Sequence, residues 1–378
     1  MKRVRIWQEI FFAALVAIWV AGCGSPGPKP ASLETFKPSL RVAQVWRAEI
    51  GDSGPYIFSP GILGDSVYAA SAAGNLFRIR SVDGKLIWKV KSKTRLSGGV
   101  GAGNNLILVG TAKGAVLAFD LDGKALWHSQ VSSQVLSTPV VTGELVVVRS
   151  GDNRIFGLDA RDGARRWVYQ ANQPALTLRA SQSFALADKL VIAGMPAGRL
   201  VALDLANGGL VWEAAVGIPK GDNEIERITD IAGQPLVEPG RICAVTFQGR
   251  AACYETQQGG QIWARALSSA ASLGADGLAV YVSEAEGAVQ ALEKNTGTSV
   301  WRQDRLGYRF LSAPVPYESQ VVVGDFEGQV HFLRSDDGGF AARMATDGSA
   351  ISAAPVASGG KILVQTRRGG LYAFEIRK

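Results

Sequence analysis

The side chains that most often carry catalysis are scarce in this chain. Its 378 residues hold two histidines, His128 and His331, and three cysteines, Cys23, Cys243 and Cys253. The histidines fall in different repeats, and neither has a second ligand at metal-binding spacing, so no metal site is expected. His128 directly follows Trp127 and reads as a strand residue. No serine is marked as a nucleophile by a neighbouring base, so Ser-His-Asp chemistry has nothing to stand on. Cys243 and Cys253 flank the turn Phe247 to Arg250, each five residues from Gln248. A tight hairpin would set them roughly opposite each other, within disulfide reach in some registers; they are either a bridge or two buried thiols. The net charge is +7 and no basic run is interleaved with aromatics, which argues against nucleic acid.

The scaffold that would position these residues is a repeat. The segment Ala118 to Trp127, AFDLDGKALW, returns as RIRSVDGKLIW ending at Trp88, GLDARDGARRW at Trp167 and ALDLANGGLVW at Trp212. It returns again as CYETQQGGQIW at Trp263 and ALEKNTGTSVW at Trp301, and a degenerate copy ends at Ala342. Each is an alternating strand, an Asp/Asn/Gly turn and a second strand carrying the Trp, which is the hairpin pattern. With Trp46 included, seven of the nine Trp share one phase of the repeat, and the other two, Trp7 and Trp19, lie in the N-terminal apolar segment. A second marker, a turn residue before a strand, recurs at Gly74, Gly114, Asn153, Gly198, Gly249, Gly287, Gly328 and Gly370. Repeats of about 40 residues predict a β-propeller. Eight markers predict eight blades of four antiparallel strands. The first Trp strand, around Trp46, lacks a preceding partner, and the last strand, from Gly370 to Glu375, lacks a following one. The N- and C-terminal strands should therefore pair and close the ring. Asp opens each turn by accepting backbone amides, Gly supplies positive φ, and each Trp buries a broad face between blades.

The N-terminus has a basic start followed by an uncharged apolar run, Ile10 to Ala21, too short for a stable membrane span. It ends Val20-Ala21-Gly22-Cys23, which resembles the lipobox of bacterial lipoproteins. The resemblance implies a signal peptide over 1–22, lipidation of Cys23 and, with Gly24 rather than Asp next, the periplasmic face of the outer membrane. Pro26, Pro28 and Pro30 mark residues 23–40 as a lipid-bearing cysteine and flexible tether, leaving 41–378 for the propeller.

Function is expected where the repeats differ. The distance from Trp to the next turn marker is longest from Trp167 to Gly198 and from Trp212 to Gly249. The two insertions belong to consecutive blades and emerge at the same phase, so they should lie side by side on one face. The first carries Leu176, Leu178 and Arg179; the second carries Asp222, Glu224, Glu226, Arg227 and Asp230. An apolar pair beside charges suits a protein partner with an apolar centre and a polar rim. The competing interpretation is local: the leucines face inward and Arg179 pairs with Asp230 or Glu226.

Over essentially its whole length the chain resembles the BamB family, the lipoprotein propellers of the outer-membrane β-barrel assembly machinery. The specific part is the loop pair: a Leu-x-Leu-Arg segment, here Leu176 to Arg179, and an acidic segment, here Glu224 to Ala232, whose last position is often Asp in the family. The resemblance implies a non-enzymatic scaffold without a cofactor, which binds the POTRA region of BamA through Leu176, Leu178, Arg179 and Asp230, with unfolded outer-membrane proteins as clients. The repeat alone also resembles quinone-dependent dehydrogenases, but their adjacent cysteine pair is absent here. A glycan-binding propeller would instead need loop aromatics, for which Tyr308 and Phe310 are the candidates.

Overall fold

Each repeat forms one four-stranded antiparallel sheet, and there are eight. The computed structural model describes residues 27–171, 174, 176–178 and 184–377. Cys23 and the leader, and Arg179 in the first long loop, therefore lie outside the described residues. Blade 1 is built from Gly61–Leu63, Ser66–Ala70, Asn75–Arg80 and Leu86–Lys91. Blades 2 to 7 follow over 96–130, 140–169, 184–215, 236–266, 274–303 and 315–345. Blade 8 takes Val356–Ser358, Lys361–Gln365 and Gly370–Arg377 from the C-terminus and Arg41–Glu49 from the N-terminus. Trp46 pairs with Ala373 across this closure.

Burial explains the residue pattern of the strands. The second strand of each blade is sandwiched between neighbouring sheets, so it reads as a nearly continuous apolar run; Ser66–Ala70 is buried at every position. The outermost strand packs on one face only and alternates. Every blade carries a β-bulge beside its Trp position, between Ala118 and Phe119 in blade 2 and between Ala202 and Leu203 in blade 4, for example. The small residues of the repeat stand directly opposite the Trp: Ala118 faces Trp127, Gly157 faces Trp167 and Ala291 faces Trp301. At Gly157 a Cβ would sit 2.2 Å from the Trp167 ring.

The Trp residues also join blade to blade. Trp127 Nε1 donates to Ala160 O at 3.0 Å, a carbonyl in the turn of the next blade, and Trp167 Nε1 donates to Leu205 O at 3.0 Å. Trp46, Trp88, Trp212, Trp263 and Trp301 do the same to Ser81, Leu121, Thr256, Lys294 and Ser335. The turn glycine of that next blade lies against the ring: a Cβ on Gly163 would come within 2.5 Å of Trp127. Gly163→Ala is therefore expected to cost about 2–4 kcal/mol, from its positive φ of 76° together with the clash. Gly143→Ala is the control: its φ is 53° but it has nothing within 4 Å, so it should cost only about 1 kcal/mol in a denaturant titration.

The latch explains the missing eighth Trp. Blade 7 faces blade 8, whose third and fourth strands are the two chain ends and have no connecting turn to receive an indole. Ala342 stands there, and the N-terminal segment covers the place. Ser39 N and Leu40 N donate to Ala341 O at 3.0 and 3.1 Å, and Phe36 stacks on Phe340 at 5.3 Å. Arg343 lies over the Phe36 ring and donates to Glu34 O. Residues 31–40 are thus laid down on the ring, which corrects the expectation of a flexible tether reaching to residue 40. The apolar residues Leu33, Phe36 and Leu40 between the prolines account for the difference. A smaller correction concerns the last turn marker: the positive-φ residue is Gly369, at 94°, and Gly370 opens the strand.

Candidate functional site at the paired loops

The two long insertions connect the outer strand of one blade to the inner strand of the next, across blades 3 to 4 and 4 to 5. They meet at Asp230. Its carboxylate accepts Leu178 N at 2.6 Å and Ala197 N at 3.0 Å, and its own carbonyl accepts Phe247 N at 2.9 Å. One side chain therefore ties the first loop, the second loop and the turn after Gly194 together. Ala197 has φ 57°, a left-handed conformation that its amide bond to Asp230 helps to hold. Asp230 is 1% exposed. Burial raises its pKa, and the two amides and the charge of Arg149 only partly offset this.

Arg149, in the second strand of blade 3, is buried with it. It donates to Gly194 O and to Asn153 Oδ1. Burial lowers its pKa to about 9, opposed by the Asp230 carboxylate. Next to Asp230, Ile231 packs on Gly194, where a Cβ would meet Ile231 at 2.3 Å. Thr229, Asp230 and Ile231 thus form the buried root of the second loop, and Ala232 is buried beside them.

The tip of the second loop is organised by its own polar groups. Asn223 Oδ1 accepts Ile225 N and Glu226 N at 3.1 and 3.0 Å. Glu226 accepts Asp222 N and Asn223 Nδ2, both at 2.8 Å. Arg227 donates to Gly221 O and pairs with Glu224 at 3.5 Å. Among these exposed charged groups the tip also presents two large apolar side chains to solvent: Ile218 is 61% exposed and Ile225 68%. Leu176 of the first loop is 45% exposed, and Leu178 is half-buried.

The residues singled out from the sequence thus divide by position. Leu176 lies open to solvent, and Leu178 lies at the root with its amide held. Asp230 joins the two loops, but from inside, so it offers no surface to a partner. Glu226 and Arg227 are exposed but engaged within their own loop. Ile218, Ile225 and Arg149 went unnoticed: the isoleucines stood among carboxylates and lysine, and Arg149 lay in a strand with no local carboxylate to mark it.

The remaining candidates lie elsewhere. Cys243 and Cys253 stand opposite each other on neighbouring strands of blade 5 and are joined by a disulfide, packed against Trp263. His128 is exposed on the outer strand of blade 2, and His331 is buried in blade 7 against Asp325. Among the described residues no group of three or more His, Cys, Asp or Glu is placed to hold a metal ion.

Fold and site together define an eight-bladed propeller whose distinguishing feature is a pair of long loops tied together at Asp230. A family model described as outer membrane protein assembly factor BamB matches residues 66–303 and 285–378. The chain is 40% identical over 368 residues to outer membrane protein assembly factor BamB of Burkholderia pseudomallei, covering 97% of each. It is 42% identical over 347 residues to the Nitrosomonas eutropha protein of the same name, covering 92% of this chain and 84% of that one. The crystal structure of BamB from Moraxella catarrhalis superposes with a TM-score of 0.83 at 28% identity, covering 89% of this chain and all of that one. The quinohemoprotein alcohol dehydrogenase of Comamonas testosteroni superposes at 0.71 with 13% identity, a likeness of fold alone. The chain belongs to the BamB family of outer-membrane protein assembly factors.

Proposed function

We propose that this chain is a non-catalytic scaffold that docks on the POTRA region of BamA through its paired loops and so aids the folding and insertion of β-barrel outer-membrane proteins. In this reading residues 1–22 are a signal peptide, and Cys23 carries the lipid that holds the propeller at the periplasmic face of the outer membrane. Support comes from one observation above the rest: a single buried carboxylate, Asp230, fixes both loops of a pair that exposes Leu176, Ile218 and Ile225 among charged side chains. Such a site is built to present a surface, with no group placed to react. Leu176, Ile218 and Ile225 supply its apolar centre; Asp222, Glu224 and the guanidinium of Arg227 supply its rim. Arg179, next to Leu178 in sequence, is included among the partner contacts of this reading.

The test is affinity purification from detergent-solubilised envelopes with wild type, a Leu176→Asp/Ile225→Asp double variant, and Val82→Asp as an exposed control on blade 1. Wild type and the control should recover a barrel protein bearing POTRA repeats. The double variant should bind it at least ~30-fold more weakly, the equivalent of about 2 kcal/mol at a hot spot. Equal recovery by all three would place the docking surface elsewhere.

A further inference from the structure

At the axis of the ring lies an open cavity of about 610 Å³, lined by segments from seven of the eight blades, with Ile57, Leu136, Phe247 and Phe310 as its large side chains. A second groove of about 300 Å³ shares Ile57, Ser352 and Ala353 with it and runs outward between blades 8 and 1. Together they form a trough from the axis toward the rim.

Phe310 is displayed into this trough at a conformational cost. It is 73% exposed, and both it and Tyr308 have left-handed backbones, with φ 48° and 56°. Bulky residues adopt that region only when their surroundings force it, and such outliers gather at functional sites. The force here is Arg309 between them. It is buried, donating to Asp325 at 2.7 Å, to Glu327 at 2.5 Å and to Ala31 O at 2.9 Å. With Arg309 anchored inward, its two aromatic neighbours are held at the surface. The Phe326 ring meets Phe310 edge-on at 6.0 Å and backs it.

The chemistry of the lining selects the ligand class. In the axial cavity the one charged residue is Glu284, whose carboxylate is taken by Arg302 through two hydrogen bonds of 2.8 and 3.0 Å; the second groove adds Arg367, which donates to Gly54 O at 3.2 Å. The rest of the axial cavity is alanine, serine, glycine and apolar side chains with Thr138 and Gln234, and it has no Asp, Asn or Arg. A mainly apolar axial cavity whose one carboxylate is already paired matches a neutral, mainly apolar occupant, and the groove that continues it suits a chain more than a compact molecule. We propose that this axial trough binds an extended, uncharged peptide segment bearing aromatic or aliphatic side chains, with Phe310 and Ile57 as its principal contacts. The proposal stands apart from the paired loops and does not depend on them.

The test uses a ten-residue peptide, acetylated and amidated, alternating Phe or Val with Ser or Thr and carrying a neutral coumarin. Fluorescence anisotropy is read against the full mature chain. Wild type should bind saturably. Phe310→Lys and Ile57→Lys should each weaken binding about tenfold or more, while Leu278→Lys, exposed and outside the trough, should not change it. The Leu176→Asp/Ile225→Asp variant should bind the peptide as wild type does, so this result and the loop test can fail separately. Absence of saturable binding, or equal affinity in Phe310→Lys and Ile57→Lys, overturns the proposal. So does binding of an N-acetylglucosamine hexamer that Phe310→Lys abolishes while the peptide does not bind.

Discussion

Asp230→Asn is expected to abolish measurable partner binding while leaving the propeller folded, although Asp230 itself touches no partner. Asparagine fits the same space but has one acceptor oxygen where the carboxylate has two. Leu178 N and Ala197 N each need one. An amide rotated to serve either donor turns its own NH2 toward the other, leaving a buried donor unpaired at about 1–3 kcal/mol. Arg149 also loses the carboxylate whose charge opposes its desolvation. The first loop is then released from the second at the Leu178 amide. Asp230→Ala should be worse by removing both acceptors, with a loss of about 3–5 kcal/mol for breaking a buried charge arrangement. Two readouts separate this positioning role from a contact role: calorimetric titration with purified POTRA fragment, and amide exchange of Leu178 in the unbound chain. Binding should vanish, and the Leu178 amide should exchange faster with no partner present.

The second large effect is expected at Asp325, in blade 7. This carboxylate is fully buried and accepts Arg309 Nε at 2.7 Å, His331 Nε2 at 3.1 Å, Glu327 N at 3.0 Å and Gln329 N at 2.9 Å. Asp325→Ala strips these groups at once and leaves the buried Arg309 guanidinium with only the half-exposed Glu327 carboxylate as counter-charge, for a loss of about 3–5 kcal/mol in denaturant unfolding. The N-terminal strap should loosen too, since Arg309 holds Ala31 O.

The same cluster carries a pH signature. Arg343 Nε faces His331 Nδ1 at 3.3 Å, so the neutral ring accepts there and donates from Nε2 to Asp325. Burial lowers the His331 pKa below its ordinary 6.5, with Arg343 and Arg309 acting in the same direction and Asp325 against. Burial alone would raise Asp325, but the bond from His331, the Gln329 amide and Arg309 bring it below its ordinary 3.8. Both shifts are downward. The stability they contribute is therefore present above the unfolded values and lost on acidification, His331 acting first as the pH falls below about 6.5. The melting temperature should drop between about pH 7 and pH 5. His331→Gln, which can still donate to Asp325 and accept from Arg343, should flatten that drop. An unchanged slope would remove His331 as its source.

The ring was legible in the sequence because most blades repeat the same solution: a polar turn, a positive-φ Gly and a Trp at one phase. The closure of the ring was legible for the same reason, from a first strand and a last strand each missing a partner. The Trp latch was not, since it joins residues such as Trp127 and Ala160 whose relation appears only when blades are side by side. The strap was hidden by its prolines, which read as tether while Leu33, Phe36 and Leu40 were spaced to pack. At the loops, insertion length singled out the pair, and Leu176 is exposed there. Composition could not tell a buried carboxylate from an exposed one, so Asp230 read as a contact when its two amide partners make it an anchor. Ile225 reversed that error: an apolar residue in an acidic run, read past, is the most exposed of the large apolar side chains described in the pair.

The most direct test of the docking account is hydrogen–deuterium exchange of the mature chain with and without a purified BamA POTRA fragment. The account requires new protection at 174–178 and 217–231, with the outer strands Leu86–Lys91 and Ser299–Gln303 unchanged. Protection confined to those outer strands or to the axial trough, with none in the two loops, would contradict it.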